Sequence, residues 1–236
     1  MVEIRNLSFA FGSRVVLRDV SFVVSPGEIV SVVGANGAGK TTLVKVLATL
    51  AVADGGMMLV DGQNAFEHPM KLRRQLGYLP ERTALCDDMR VKDYLLYRAR
   101  LKGEASRRIR RRVTEAAELC RITEWLREPI RLLSAGVARR VALADALLLR
   151  PRVLLLDDFL AGLDQETRET AGAVLADAAA FSSVLVTGHE LSDFASWTTR
   201  FLVLRDGEIK ATIPTAGTER QALLEHIRMA ITGGEK

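Results

Sequence analysis

The sequence predicts an α/β fold in which a sheet core, built around a glycine-rich loop, carries an inserted helical lobe. Three observations predict it. Ile29–Val33 is a short, nearly all-apolar run of the kind buried on both faces of a sheet, and it feeds directly into the loop Gly34–Gly39. From Val91 to Leu149, β-branched clusters give way to leucine, alanine, arginine and glutamate, all good helix formers. Strand-like runs then return at Val153–Leu156 and Ser183–Thr187.

Taken in order, Val2–Phe9 alternates partly between apolar and polar residues and reads as a strand. After a turn at Gly12–Ser13, Val15–Val24 continues as strand with a break near Arg18–Asp19, and Pro26–Gly27 punctuates it. Lys40 onwards, KTTLVKVLATL, has helical spacing. A strand pair is expected around Met57–Asp61, with Gly62 as its turn. Helices are expected near 91–101, 105–121 and 137–149, the last stopped by Pro151. Phe201–Leu204 and Glu208–Ile213 read as strands joined by the tight Asp206–Gly207 turn, and a closing helix covers Glu219–Met229. One domain, 1–236, accommodates these elements, with a helical subdomain at 87–149.

Composition narrows the function classes. Hydrophobic residues at 48% and charged residues at 26% are ordinary for a folded globular chain and unlike a disordered one. A formal charge of +4 is a weak pointer to an anionic partner, so nucleic-acid binding is not expected from charge alone. Cys86 and Cys120 make neither a disulfide scaffold nor a metal cluster, which fits a reducing compartment. The start MVEIRNLSFAFG lacks an apolar signal-peptide core, and no run reaches the ~18 apolar residues of a membrane helix. Docking on a membrane protein remains open.

The strongest local signal is GANGAGKT, Gly34 to Thr41, a full match to G-x-x-x-x-G-K-[ST] lying between a buried strand and a helix. Small residues at Gly34, Asn36, Gly37, Ala38 and Gly39 let consecutive backbone N–H groups turn inward around a phosphate, and the helix N-terminus adds positive potential. Lys40 supplies a mobile charge to the β- and γ-phosphates of ATP, and the Thr41 hydroxyl ligates Mg²⁺. Thr42 follows inside the same first turn. A glycine turn that binds nothing would leave both motif and context to coincidence.

Such a loop needs an acidic partner, and RVLLLDD, Arg152 to Asp158, provides one where ligand sites of α/β sheets lie. Asp157 is read as the Mg²⁺ partner through water, and Asp158 as the group that polarises the attacking water. His189 directly follows the second returning strand, where it could donate to the γ-phosphate or the water. Phe11 could lie over adenine. From the residues alone, plain core or surface roles read equally well for both.

Together these pieces resemble the nucleotide-binding subunit of an ABC transporter over nearly the entire chain. The stretch LSAGVARRVALADALLLRPRVLLLDDFLAGLD, Leu133 to Asp164, carries the resemblance most strongly. It looks like the family's signature loop and helix followed by its Walker B strand and D-loop. The resemblance implies a P-loop NTPase (RecA-like) core with an antiparallel β subdomain and an inserted α-helical subdomain. It implies that Phe11 stacks on adenine and that GYLPE, Gly77 to Glu81, is the Q-loop. It also implies that Ser134 and Gly136 reach ATP held by a second subunit, that Asp164 lies in the D-loop, and that His189 is the switch histidine. Such proteins work as head-to-tail homodimers or heterodimers with two ATPs between them. They sit on the cytoplasmic face of the inner or plasma membrane through separate transmembrane permease subunits.

Four departures accompany the matches. Asp158 replaces the usual catalytic glutamate, leaving the carboxylate one methylene, about 1.5 Å, short. Ala135 and Val137 stand in a signature that usually reads LSGGQ, and Ala135 would be strained if that position needs φ > 0. Glu81 replaces a glutamine; it can accept from water or approach Mg²⁺ but cannot donate. Asp145 in ALADAL replaces a common arginine.

Arg98, Arg100, Lys102, Arg107, Arg108, Arg110, Arg111 and Arg112 crowd the helical lobe. Locally Glu104 is their main opposing charge; a solvated helix face balanced elsewhere accounts for them more simply than a nucleic-acid or lipid contact, and aromatic stacking platforms are scarce there. The expected function is an ATPase subunit of a transporter, with GYLPE pointing by analogy to export. Two alternatives stand beside it. One is a weakly hydrolysing regulatory subunit paired with a more active ATPase; the other is a soluble ABC-type ATPase acting on ribosomes or nucleic acid.

Overall fold

From its N-terminus the chain forms strands β1 (Val2–Phe11) and β2 (Arg14–Val24), then β3 (Ile29–Val33) and helix α1 (Lys40–Leu47) on either side of the glycine loop. β4 (Gly55–Val60) and β5 (Gln63–Asn64) follow, then α2 (Pro69–Gln75) and β6 (Leu76–Leu79). The helical insertion comprises α3 (Val91–Leu101), α4 (Ser106–Leu119) and α5 (Ala135–Leu147). β7 (Val153–Leu156), α6 (Gln165–Ala179), β8 (Ser183–Thr187) and the short α7 (Leu191–Phe194) return to the core. β9 (Arg200–Arg205), β10 (Glu208–Pro214) and α8 (Arg220–Thr232) complete it. This computed structural model describes residues 1–188 and 191–233.

Two sheets result. The larger has the order β10-β9-β3-β8-β7-β6, parallel throughout except for β10, which pairs antiparallel with β9. The smaller is antiparallel, in the order β2-β1-β4-β5. The predicted α/β core, antiparallel β subdomain and helical insertion are all present.

The predominantly apolar central strands are explained by the pleat, which sends alternate side chains to opposite faces. Val30, Val32, Val153, Leu155, Leu185 and Leu202 join one core shared with the antiparallel sheet and α1. Ile29, Val33, Leu154, Leu156, Val184 and Phe201 join a second core roofed by the helices. Each strand is thus wetted on neither face, and its C-terminal end is where polar groups first emerge.

Local readings were refined in several places. The break expected near Arg18–Asp19 is a bulge inside a continuous β2: Asp19 has φ 49° and its amide donates to Ser8 Oγ at 3.1 Å. Helices expected at 105–121 and 137–149 run over Ser106–Leu119 and Ala135–Leu147. β6, α2 and the long α6 were not anticipated.

The arginine-rich lobe is partly paired: five of its eight clustered cations have acidic partners among the described residues. Glu104 pairs with Arg108 and Arg112, and Glu115 with Arg111 and Arg112. Asp145 is a tie between helices: Oδ2 accepts from Arg98 Nη2 at 2.9 Å, and Oδ1 lies 2.9 Å from Lys102 Nζ. Burial and the Asp145 charge push the neighbouring Tyr94 hydroxyl up to about 12. Asp145, where the resemblance led to an expected arginine, is thus an acceptor that joins α5 to α3.

Asp145→Ala should remove the carboxylate from Arg98 and Lys102, leaving Lys102 its bond to the carbonyl at 145, and lower stability by about 2 kcal/mol. That is below the ~3–5 kcal/mol of a fully buried pair, because the Arg98 side chain keeps about a third of its exposure. A lowered urea midpoint at constant m would show it; an unchanged midpoint would remove Asp145 from the lobe's stabilising contacts.

Candidate functional site

The glycine loop wraps the C-terminal end of β3 and delivers the chain into α1. Gly39 takes φ 107° directly before the first helical residue, a conformation that would strain any side chain. Gly34 needs space instead: a Cβ there would lie 2.1 Å from the Leu204 carbonyl oxygen of β9. Between them the backbone closes tightly, with the Ala38 amide donating to Ala35 O at 3.2 Å.

Lys40 folds back over this loop, its Nζ donating to Gly34 O at 2.7 Å and Ala35 O at 3.0 Å. The side chain is buried, which pushes its pKa below the ordinary lysine value; the charges of Asp158 and Asp157 oppose that shift. A buried cation whose hydrogen bonds among the described residues go to neutral carbonyls is suited to receive an anion.

Asp157, at the end of β7, is 1% exposed, and its amide donates to Leu79 O of β6 at 2.9 Å. One carboxylate oxygen, Oδ1, accepts from Thr187 Oγ1 at 2.7 Å and from Thr41 Oγ1 at 3.2 Å. Thr187 is the last residue of β8, so three neighbouring elements meet at one oxygen. The Asp158 amide in turn donates to Thr187 Oγ1 and to Thr187 O, each at 3.1 Å. Asp158 sits at φ 42°, in the left-handed region that aspartate tolerates better than most residues.

These groups line a single open cleft of about 330 Å³, within the ~300–1,000 Å³ range typical of small-ligand sites. Of the residues singled out from the sequence, Phe11, Asn36, Gly37, Gly39, Lys40, Thr41, Thr42, Glu81, Asp157 and Asp158 line it. Gly34 lies beneath the loop against β9, and Ala38 lines a second hollow on the loop's other side. The Phe11 ring is 61% exposed and stands edge-on to Phe9, 4.8 Å between centroids, leaving a face free at the cleft rim.

Ser134, Gly136 and Asp164 do not line this cleft. Ser134 caps α5, its Oγ accepting from the Val137 amide at 3.3 Å. Asp164 caps α6, accepting from the Thr167 amide at 2.8 Å and the Thr167 hydroxyl at 3.1 Å. Gly136 is packed between the two helices: a Cβ there would come within 2.6 Å of Thr167 Oγ1. Ala135 is the first residue of α5 and does not have positive φ, so the strain feared for it is absent. His189 lies outside the described residues.

Sequence reasoning missed Arg14, Val16 and Thr187 at the cleft. Thr187 had a signal, as the one polar residue ending the apolar run of β8. Arg14 and Val16 had none, because the β1–β2 turn reaches the loop only through tertiary packing.

Comparison with known proteins agrees with this geometry. The model of the ABC transporter family matches residues 17–161. The sulfate/thiosulfate import ATP-binding protein CysA of Methylococcus capsulatus is 35% identical over 218 residues, covering 89% of this chain and 62% of that protein. The chain thus spans less than two thirds of the length of such curated relatives. A solved ATP-binding subunit of an ABC transporter superposes with a TM-score of 0.83 at 26% identity, covering 97% of this chain and 99% of that one. The same fold is shared, at 22% identity and a TM-score of 0.78, by the dimeric cassette MJ0796 bound to ADP and Pi, with 92% and 100% covered.

Proposed function

Because this chain belongs to the ABC transporter family, we propose that it is an ATP-binding and ATP-hydrolysing subunit that drives separate membrane permease subunits. The observation that carries the proposal is the convergence of the loop amides, Lys40, the Thr41–Asp157 pair and Asp158 on one cleft.

In this reading Lys40 exchanges its two loop carbonyls for the β- and γ-phosphates, and the loop amides at the head of α1 bind the same charge. The Thr41 hydroxyl and Asp157 carboxylate would hold Mg²⁺, which supplies neutralisation of the phosphate charge when bound. A hydroxyl beside one carboxylate suits that cation, which keeps waters and takes phosphate oxygens rather than an all-protein cage. Asp158 orients and polarises the attacking water, and Glu81, which lines the same cleft, accepts from water or approaches Mg²⁺. Phe11 offers its face to adenine. His189 is retained as a donor to the γ-phosphate.

The position of Ser134, Gly136 and Asp164 away from the cleft supports a head-to-tail pair in which they serve ATP on a second subunit. That partner is a second copy or a related ATPase. No helix among the described residues is long and apolar enough to cross a membrane. In this reading the permease subunits hold the chain at the cytoplasmic face. The relative named above is an import protein by name, whereas GYLPE pointed to export; the proposal rests on neither direction.

The test is steady-state hydrolysis of ATP with Mg²⁺, alongside light scattering with and without ATP. Release of ADP and phosphate with an ATP-dependent monomer-to-dimer shift is expected. Absence of both binding and turnover would overturn the proposal. Binding and pairing with negligible turnover would favour the regulatory-subunit reading, which the short Asp158 side chain motivates.

A further inference from the structure

We propose that Arg139 is a positioning residue whose guanidinium clamps the segments carrying Glu81 and Asp158 onto the helix that begins at Ser134. Its catalytic consequence rests on the ATP-site reading above; the clamp itself rests only on the hydrogen bonds of Arg139.

Arg139 lies on α5 and is half-buried. Arg140 beside it points elsewhere, stacking 4.8 Å over the Trp125 ring and donating to Arg121 O, as successive helical residues must diverge. Arg139 spends its donors on backbone far away in sequence. Nη1 donates to Pro80 O at 3.0 Å, Glu81 O at 2.9 Å and Thr83 Oγ1 at 3.1 Å. Nε donates to Phe159 O at 2.9 Å, and Nη2 reaches Asp158 O at 3.5 Å.

These carbonyls belong to stretches with no helix or strand, where backbone acceptors lack ladder partners. A planar guanidinium with five N–H groups can serve both stretches at once; an ammonium on a flexible stem cannot match that fork. The left-handed turn at Asp158 is consequently held on both sides. Its amide is fixed by Thr187, and its carbonyl by the Ala161 amide at 3.3 Å together with Arg139. Those two peptide planes fix the Cα–Cβ direction from which the Asp158 carboxylate projects. Any displacement of 80–83 is passed through the same side chain to Asp158 and to the capped start of α5.

The experiment compares wild type, Arg139→Ala and Arg139→Lys. In nucleotide-free protein it reads tryptic cleavage after the exposed Arg82 and hydrogen exchange of the Asp158 and Ala161 amides. With ATP it reads kcat and KM. Arg139→Ala should accelerate cleavage and exchange together, by about tenfold or more, through loss of charge-assisted hydrogen bonds. Its kcat should fall about 10²-fold, the effect of a ~1 Å misplacement, with KM for ATP held within about threefold. Arg139→Lys should keep the wild-type melting temperature and fall between the two in every readout, and it carries the comparison if the alanine variant does not fold. Unchanged cleavage or exchange in either segment overturns the clamp, as does a raised KM at constant kcat. A wild type that neither binds nor hydrolyses ATP would instead overturn the nucleotide reading, with cleavage and exchange still deciding the clamp.

Discussion

Lys40→Ala is expected to abolish tight ATP binding. Removing one partner of a buried, hydrogen-bonded charge pair costs about 2–5 kcal/mol, roughly a 30-fold to several-thousand-fold loss of affinity. The empty protein should not suffer in parallel. Among the described residues Lys40 donates to the Gly34 and Ala35 carbonyls, and burial pulls its pKa down against the opposing charges of Asp158 and Asp157, so the cation is held against its own solvation preference. Calorimetric titration with ATP and a thermal melt of the nucleotide-free variant separate the two effects. Affinity within about threefold of wild type would remove Lys40 from the phosphate site. A collapsed melting temperature would mean that it is structural.

Asp158→Asn is expected to retain ATP binding while losing turnover by about 10²–10⁴-fold, the usual contribution of a positioned acid–base group. Asparagine keeps the shape and the tolerance of φ 42°, so the turn and its bonds to Thr187 survive and only the carboxylate is lost. Single-turnover and steady-state rates at saturating ATP would read this directly. Turnover within about threefold of wild type would dismiss Asp158 as the water-polarising group. Asp158→Glu is the companion variant. It restores the methylene, and its turnover should exceed wild type, with a small stability cost because glutamate is less at ease in the left-handed region. Equal or lower turnover would mean that this cleft already brings Asp158 within reach.

The family's departures read differently once the chain is folded. Ala135 opens a helix and carries no conformational burden, whereas Gly136 is required by the proximity of Thr167. Asp145 is the acceptor of an interhelical ion network, and its exchange from arginine concerns the lobe's stability. In the arginine cluster that invites thoughts of nucleic acid, five of eight cations contact Glu104, Glu115 or Asp145, so the cluster stays net positive.

The local pattern of residues determined the parts of this protein that depend on near neighbours. The apolar run Ile29–Val33 followed by small residues and Lys40–Thr41 could be little other than a buried strand entering a phosphate loop. Four apolar residues ending in Asp157–Asp158 likewise placed two acids at a strand edge. Both motifs work through a few consecutive peptide units, so their geometry is written where their residues are. Even α6 was within reach, since Asp164 is its N-cap and Ala171, Val174, Leu175 and Ala178 share one helical face. Alanine and glycine made that stripe faint.

The tertiary structure decided what joins those motifs. Leu76–Leu79 is a strand because β7 pairs with it, and four residues containing a glycine do not announce that alone. Thr187 reaches Asp157 across 30 positions, and Arg139 reaches Pro80 across 59. A polar residue's type states what it can donate or accept; its partner is set by which distant backbone the packed sheet and helices bring within about 3 Å.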